Sequence, residues 1–401
     1  MSRNYHSAPR RNNSRRSFGG RNQRRKGPNK QFIHPSKFIQ AAKPVEEVKY
    51  EPQHTFNDFA LNDLLKTNLK AKGFITPSAI QDQSIPYGIE GRDVIGIANT
   101  GTGKTAAFAL PVINKLMNDR SAKAIILAPT RELAQQIEAD CRSFAKGSGL
   151  RGALLIGGSS MGKQFKELRS DPNIIIGTPG RVKDHYERGT LPLCDCNIVV
   201  LDEVDRMVDM GFIKDIRYLL GEASPKRQSF FYSATLDKNI NQLIQSFLTD
   251  PVTVSVKTGE TGENIEQNII RYSVKTEKMD KLHDVLISEK VEKTIIFDET
   301  QRSVERLNKE LRERGFSTDA IHGGKTQGAR QRALREFKNS KINVLVATDV
   351  AARGIDVSDV THVINYSTPN AYEDYIHRIG RAGRAGKIGY ALTFVSGTPQ
   401  R

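Results

Sequence analysis

Ala98-Asn99-Thr100-Gly101-Thr102-Gly103-Lys104-Thr105 is the stretch whose reading decides the fold. An apolar run, Val94-Ile95-Gly96-Ile97, leads into it, and a helix-compatible run, Ala106-Ala107-Phe108-Ala109-Leu110, follows. Strand, glycine-bearing turn and helix in that order form the setting a phosphate-binding loop requires. The glycines let backbone N–H groups turn towards phosphate oxygens, and the helix N-terminus adds partial positive charge. In such a loop Thr100, Gly101, Thr102 and Gly103 form the cradle, Lys104 reaches the β/γ-phosphates, and the Thr105 hydroxyl ligates Mg²⁺. The plainer alternative is a βα turn that binds nothing. Ala98 stands where the general pattern has glycine.

Outward from this loop, short apolar runs alternate with helical patterns. Upstream, Leu61, Leu64, Leu65 and Leu69 have helical spacing. The runs at 94–98, 124–128, 153–156, 174–176, 198–201 and 229–232 read as buried strands of a parallel sheet. The pattern breaks at the polar stretch 257–264 and resumes with runs at 269–274, 294–297, 319–322, 344–347, 362–365 and 390–395. This predicts two α/β domains, of which only the first carries a phosphate loop.

Composition limits the alternatives. The 401 residues carry a formal net charge of +16. Ten Lys and Arg side chains fall in residues 1–30, which contain no Asp or Glu. A segment so basic and so poor in apolar residues is expected to be disordered and to bind polyanions without regard to sequence; a solubilising tail or an organellar transit peptide are the alternatives. Cys141, Cys194 and Cys196 are too few for a disulfide framework, which favours reduced thiols and a cytoplasmic setting. No apolar run approaches the ~18 residues of a membrane span.

The second piece of chemistry is Asp202-Glu203-Val204-Asp205, directly after the strand-like run 198–201. A nucleotide hydrolase needs carboxylates at a strand end, for the metal and for the attacking water. Asp202 is placed for Mg²⁺, Glu203 for the water, and Asp205 for neighbouring protein groups. A solvated acidic turn is the bland alternative.

With the loop at 98–105, this quartet resembles that of superfamily 2 helicases, and further motifs identify the chain as resembling the DEAD-box ATP-dependent RNA helicases, with Val204 where the name-giving motif has Ala. Gly73-Phe74-Ile75-Thr76-Pro77-Ser78-Ala79-Ile80-Gln81 resembles the family's Q motif. The resemblance implies an adenine site in which the Gln81 amide reads the base edge, Phe56, at the family's upstream aromatic position, stacks on the base, and Phe74 also contributes to ATP binding. Pro129-Thr130-Arg131, Gly157-Gly158 and Thr178-Pro179-Gly180-Arg181 resemble elements that grip single-stranded RNA, as do Gln327, Arg330, Thr348, Arg353 and Gly354 in the second half. Ser233-Ala234-Thr235 resembles a motif coupling the acidic quartet to domain closure, with Asp205 and His377 as partners. By the same resemblance Asp356 meets the ribose, and Arg381 and Arg384 are arginine fingers crossing to the γ-phosphate; a generic nucleic-acid patch is the alternative for these arginines.

The likeness spans residues 56–397 and departs from the family pattern at Ser367, Gly324 and Ala382. It implies two tandem RecA-like domains, each a mostly parallel sheet flanked by helices. The expected division is an Arg-rich disordered tail at 1–40, a linker at 41–55, an ATP-binding domain at 56–256, an interdomain linker at 257–265 and a second helicase domain at 266–401. The family usually continues with another helix beyond the last strand, so either a truncation or a minimal second domain is expected. The implied activity is RNA-dependent ATP hydrolysis coupled to local duplex unwinding or RNP remodelling, by a monomer with little sequence preference. A slow RNA clamp and a DNA translocase are the alternatives.

Overall fold

The computed structural model describes residues 33–42, 50–99, 101–256, 264–288, 291–352, 357, 359–383 and 387–397. Thr100, Arg353, Gly354, Asp356 and Arg384 lie outside the described residues, as do residues 1–32 of the expected tail and 257–263 of the expected linker.

Two parallel sheets carry the chain. The first contains β1 (Val94–Ile97), β2 (Ala124–Leu127), β3 (Gly152–Leu155), β4 (Ile174–Gly177), β5 (Ile198–Leu201), β6 (Gln228–Ser233) and β7 (Val252–Ser255). Their order is β3-β4-β2-β5-β6-β1-β7, every pairing parallel. The second contains β8 (Ile265–Tyr272), β9 (Thr294–Phe297), β10 (Thr318–Ile321), β11 (Val344–Ala347), β12 (His362–Asn365) and β13 (Gly389–Ser396) in the order β10-β11-β9-β12-β13-β8. Helices cover the sheets, so strands such as Ala124–Leu127 and Ile198–Leu201 are buried along their whole length. The cores form from both faces. Phe108, Leu110, Ile113, Phe230 and Tyr232 lie on one side of the first sheet, and Leu127, Val199, Leu201, Met207 and Phe231 on the other.

Strand order decides where the chemistry collects. β6 lies between β1 and β5, so the ends of β1 and β5 are about 10 Å apart at the usual strand spacing. In a parallel sheet all these C-terminal ends share one edge, which is where ligands bind. The loop after β1, the quartet after β5 and Ser233 at the end of β6 therefore meet.

Two strands differ from the sequence reading. β8 begins four residues before the expected 269, because Gln267 points inwards: it is 3% exposed and its Oε1 accepts from the buried Tyr375 hydroxyl at 2.9 Å. β7, which the apolar runs did not reveal, is an edge strand with one buried residue, Val254.

The N-terminal expectation needs a larger correction. Residues 33–42, assigned to tail and linker, pack on the second sheet. Pro35–Phe38 form a 3₁₀ turn capped by His34, Phe38 is fully buried, and Gln40 pairs antiparallel with Gln267. Ordered packing also begins before Phe56, since Tyr50, Gln53 and His54 hydrogen-bond to Asp82.

Candidate functional site

The phosphate loop is held by the helix that precedes it. Helix Ala79–Ile89 starts at Ser78, whose hydroxyl donates to the Thr102 carbonyl at 2.7 Å. Gln81 accepts from the Ser78 N–H (3.0 Å) and donates to the Gly103 carbonyl (3.0 Å). These contacts press so closely on Gly103, at φ +93°, that a Cβ there would lie 2.3 Å from Gln81 Nε2. Only glycine combines that left-handed backbone with that approach. Lys104 opens helix Lys104–Asn118, is 6% exposed, and donates from Nζ to the Ala98 carbonyl at 2.8 Å. A buried ammonium bonded to a neutral carbonyl suits an anionic ligand.

The quartet faces this lysine. Asp202 is 2% exposed and accepts the Glu203 N–H at 3.0 Å. Burial pushes its carboxyl well above the usual range, Lys104 opposes this, and Glu203 adds to it. Glu203 has a left-handed backbone, φ +53°, uncommon for a residue with a side chain. Its carboxylate is ion-paired with Arg206. Burial works against the charge of Glu203, but Arg206, Lys104 and Arg381 outweigh it and hold the carboxyl below the usual range. Asp205 turns away from both. Its Oδ2 accepts the N–H groups of Ala234 (2.9 Å) and Thr235 (3.1 Å), while its own N–H donates to the Ser233 hydroxyl at 3.3 Å. The quartet is thereby tied to the end of β6.

The second sheet completes the site. Arg381 follows helix Tyr372–Ile379, is 5% exposed, and donates from Nε to the His377 carbonyl. With Gln81, Lys104, Thr105, Asp202 and Glu203 it lines one cavity of about 260 Å³. A smaller cavity beside it brings His377 and Gly380 against Asp205 and Thr235. Residues 78–243 match the family described as DEAD/DEAH box helicase, and residues 277–386 match the helicase conserved C-terminal domain. A DEAD-box ATP-dependent RNA helicase CshA from Bacillus licheniformis is 44% identical over 344 residues, covering 85% of this chain and 70% of that protein. The chain belongs to the DEAD-box RNA helicase family.

Solved structures of the family superpose on the chain to different extents. Saccharomyces cerevisiae Dbp5 bound to RNA and ADP BeF3 is 30% identical and superposes with a TM-score of 0.76, covering 86% of this chain and 90% of that one. A DEAD box protein from Methanococcus jannaschii is more similar in sequence, at 38%, with coverages of 86% and 93%, yet its TM-score is 0.50. In this chain the two domains touch.

Direct contacts across the cleft agree. Arg330 pairs with Glu132 at 2.8 Å, with side chains only 8% and 5% exposed. Gln327 donates to Glu132 and to Gln135, each at 3.2 Å. Gln327 and Arg330, read from the sequence as RNA contacts, are therefore engaged with the first domain. Arg330 also lines a groove of about 410 Å³ with Pro129, Thr130, Arg131, Gly157, Thr178, Gly180 and Arg181. In this groove Arg131 lies directly on Gly157 and Gly158; a Cβ on Gly158, at φ +77°, would be 2.4 Å from Arg131 Nη1. Pro179 and Thr178 open helix Pro179–Glu187, and Thr178 makes no cap bond with its own hydroxyl. Thr348, at the end of β11, is 9% exposed.

Three expectations change. Phe56 does not line the cavity of Lys104 and Arg381: it is 5% exposed and supports Phe74 edge-on at 5.7 Å, while Phe74 and Phe144 line that cavity. The arginine set near the C-terminus, for which a generic nucleic-acid patch was the alternative, is not all available to a ligand, because Arg378 is buried in a bidentate pair with Asp349 (2.5 and 2.7 Å). Arg378 also donates to the Ser367 backbone carbonyl at 2.7 Å, so the Ser367 side chain is not what fixes it. At Gly324 a Cβ would meet only the end of the flexible Gln301 side chain, at 2.6 Å, so nothing in the backbone demands glycine there. Sequence reasoning missed Lys72, Glu132, Asp140, Arg206, Met210 and Phe212. Of these, Arg206 and Glu132 had a usable signal, since each directly adjoins a motif.

Proposed function

We propose that this helicase binds ATP–Mg²⁺ between Lys104 of the first domain and Arg381 of the second, and that single-stranded RNA in the neighbouring groove stabilises that joined arrangement. The observation that carries the reading is the single cavity shared by the phosphate loop, the acidic quartet and Arg381. Asp202-Glu203-Val204-Asp205 is read as a variant of the family's name-giving motif. Val204 is fully buried, so an apolar side chain suits it.

In this mechanism Gln81 holds the loop's carbonyls and keeps one donor and one acceptor position for adenine. Lys104 and Arg381 neutralise charge developing on the γ-phosphate, and Glu203 orients the attacking water and takes its proton. Arg384 is assigned as a second finger and Asp356 as a ribose contact by resemblance. The donor set fits magnesium: Asp202 offers a buried carboxylate with one oxygen bonded only to a backbone N–H, and Thr105 offers a hydroxyl beside it. When bound, the ion supplies positive charge to the phosphate oxygens.

Coupling runs through Asp205, Ser233, Thr235 and His377, which lie between the reacting site and the second domain. Arg131, Gly157, Gly158, Thr178, Gly180 and Arg181 contact the RNA backbone, so sequence preference is low. Closure bends one strand and opens a short duplex; hydrolysis and release reverse it. A first domain running from about residue 50 to 256, a second from Ile265 onward with residues 33–42 packed on it, a monomeric state and a cytoplasmic setting belong to the same reading; among the described residues no helix is long and apolar enough to cross a membrane. The test compares ATPase stimulation and strand separation on RNA with those on DNA of the same sequence. Stimulation by RNA with strand separation supports the reading, RNA stimulation without separation identifies a clamp, and equal response to DNA removes the RNA assignment.

A further inference from the structure

Residues 33–42 precede the ATP-binding domain in sequence, yet they are built into the other domain. Phe38 is fully buried there, in the same core cluster as Ile265, Val363 and Ile379, with its ring 4.7 Å from that of Tyr375. Gln40 exchanges both backbone hydrogen bonds with Gln267, at 2.9 and 2.7 Å, on the otherwise open side of β8. The Lys37 ammonium lies 5.2 Å from the centre of the Tyr372 ring. A bundle of one buried aromatic, one paired bridge and one cation–π contact forms a specific seat.

The chain then reaches a second seat on the first domain. Asp82 is 2% exposed and accepts from the Tyr50 hydroxyl (2.6 Å) and from the backbone N–H groups of Gln53 (2.8 Å) and His54 (3.1 Å), with His54 Nδ1 at 2.8 Å. Asp82 adjoins Gln81 on the helix that holds the phosphate loop. Residues 42 and 50 are eight peptide steps apart, which covalent geometry limits to a span of about 29 Å. The segment between β7 and β8 is a connection of similar length, so the domains are joined by two short chain segments.

We propose that residues 33–42 are an interdomain strap that restricts how far the second domain can move from the ATP-binding domain and so favours the joined arrangement. With both seats occupied, the strap removes widely separated placements from the open ensemble. The joined state loses nothing, because its two seats already lie within the strap's reach. The advantage is entropic and depends on strap length. The proposal rests on the helicase reading only for its ATPase readout; its distance readout is independent.

The decisive experiment uses the full chain with about 20 Gly/Ser residues inserted between residues 42 and 50. Both seats remain intact. Lengthening the tether from eight to about 28 steps lowers the effective concentration by up to about sixfold, following the −3/2 power of length. Fluorescence energy transfer between dyes on the two domains reads the joined fraction with ATP and RNA present. RNA titration of the ATPase reads the same shift as an increase in half-saturating RNA. Phe38→Ala, which unseats the strap, should shift both readouts in the same direction, and thermal melting identifies any loss of second-domain stability in that variant. Wild-type energy transfer in the insertion variant would overturn the strap. Altered energy transfer with no RNA-dependent ATPase in any variant would overturn the helicase reading instead and leave the strap standing.

Discussion

Replacing Arg330 by Ala isolates the energy that joins the two domains. Glu132 and Arg330 are 5% and 8% exposed in their pair, and the Gln327 amide also reaches the Glu132 carboxylate across the cleft, at 3.2 Å. Removing the guanidinium leaves a buried carboxylate with one long neutral hydrogen bond. Truncating one partner of a buried, hydrogen-bonded charge pair costs about 2–5 kcal/mol, largely because the other charge is left unpaired; here the contact is a close ion pair in which Glu132 Oε2 accepts no aligned hydrogen bond, which points to the low end. The cost falls on the joined state alone, since Glu132 regains water when the cleft opens. Gln327 remains, and water can enter from the adjoining groove, so the lower end applies: about 2–3 kcal/mol, or roughly 30- to 150-fold in the joining equilibrium. RNA titration of the ATPase should therefore show half-saturation moved by that factor, while ATP binding without RNA stays as in the wild type. Adding Glu132→Gln removes the stranded charge and should recover most of the loss. If the two substitutions instead add independently, Arg330 acts as a separate RNA contact and the pair does not join the domains.

Other perturbations address other parts of the site. Glu203→Gln should keep ATP and RNA binding and reduce turnover at least a hundredfold in single-turnover hydrolysis; near-normal turnover would remove Glu203 from the chemistry. Arg381→Ala should slow hydrolysis by about 10³-fold or more while leaving RNA affinity within a few-fold, the opposite pattern marking it as a nucleic-acid contact. Deleting residues 1–32, which spares the seated residues 33–42, should weaken RNA binding most at low salt, and an unchanged salt slope would leave the tail without that role. His362 is buried in a stack on Tyr390, and burial pushes its pKa down to about 4. Keeping it neutral favours the fold above the unfolded value near 6.5, and that contribution is lost as pH falls from there towards 4. Melting temperature against pH should thus drop less steeply over that window in His362→Gln than in the wild type.

What the sequence made legible was chemistry carried within one short segment. The loop at 98–105 and the quartet at 202–205 each state their residues, spacing and preceding strand in under a dozen letters, and most strands are unbroken apolar runs. What stayed hidden was pairing at a distance. Gln81 holds a carbonyl 22 residues away, Arg378 holds a carboxylate 29 residues away, and Gln327 meets Glu132 across 195 residues. No local pattern encodes such a partner, so each side chain reads as exposed and available when it is already engaged. Residues 33–42 were hidden for a related reason: one Phe and one backbone bridge give no periodicity, and their partners, Tyr375 and Gln267, lie in the other half of the chain. The same limit applies to the reacting site itself. Glu203 is held ionised by Arg206, which is local, and by Arg381, which the second domain supplies. Lys104, also of the first domain, contributes more to this than Arg381 does. Arg381 is therefore one charge among three around Glu203, and what the second domain adds is its placement in the shared cavity, which a reading of either domain alone does not contain.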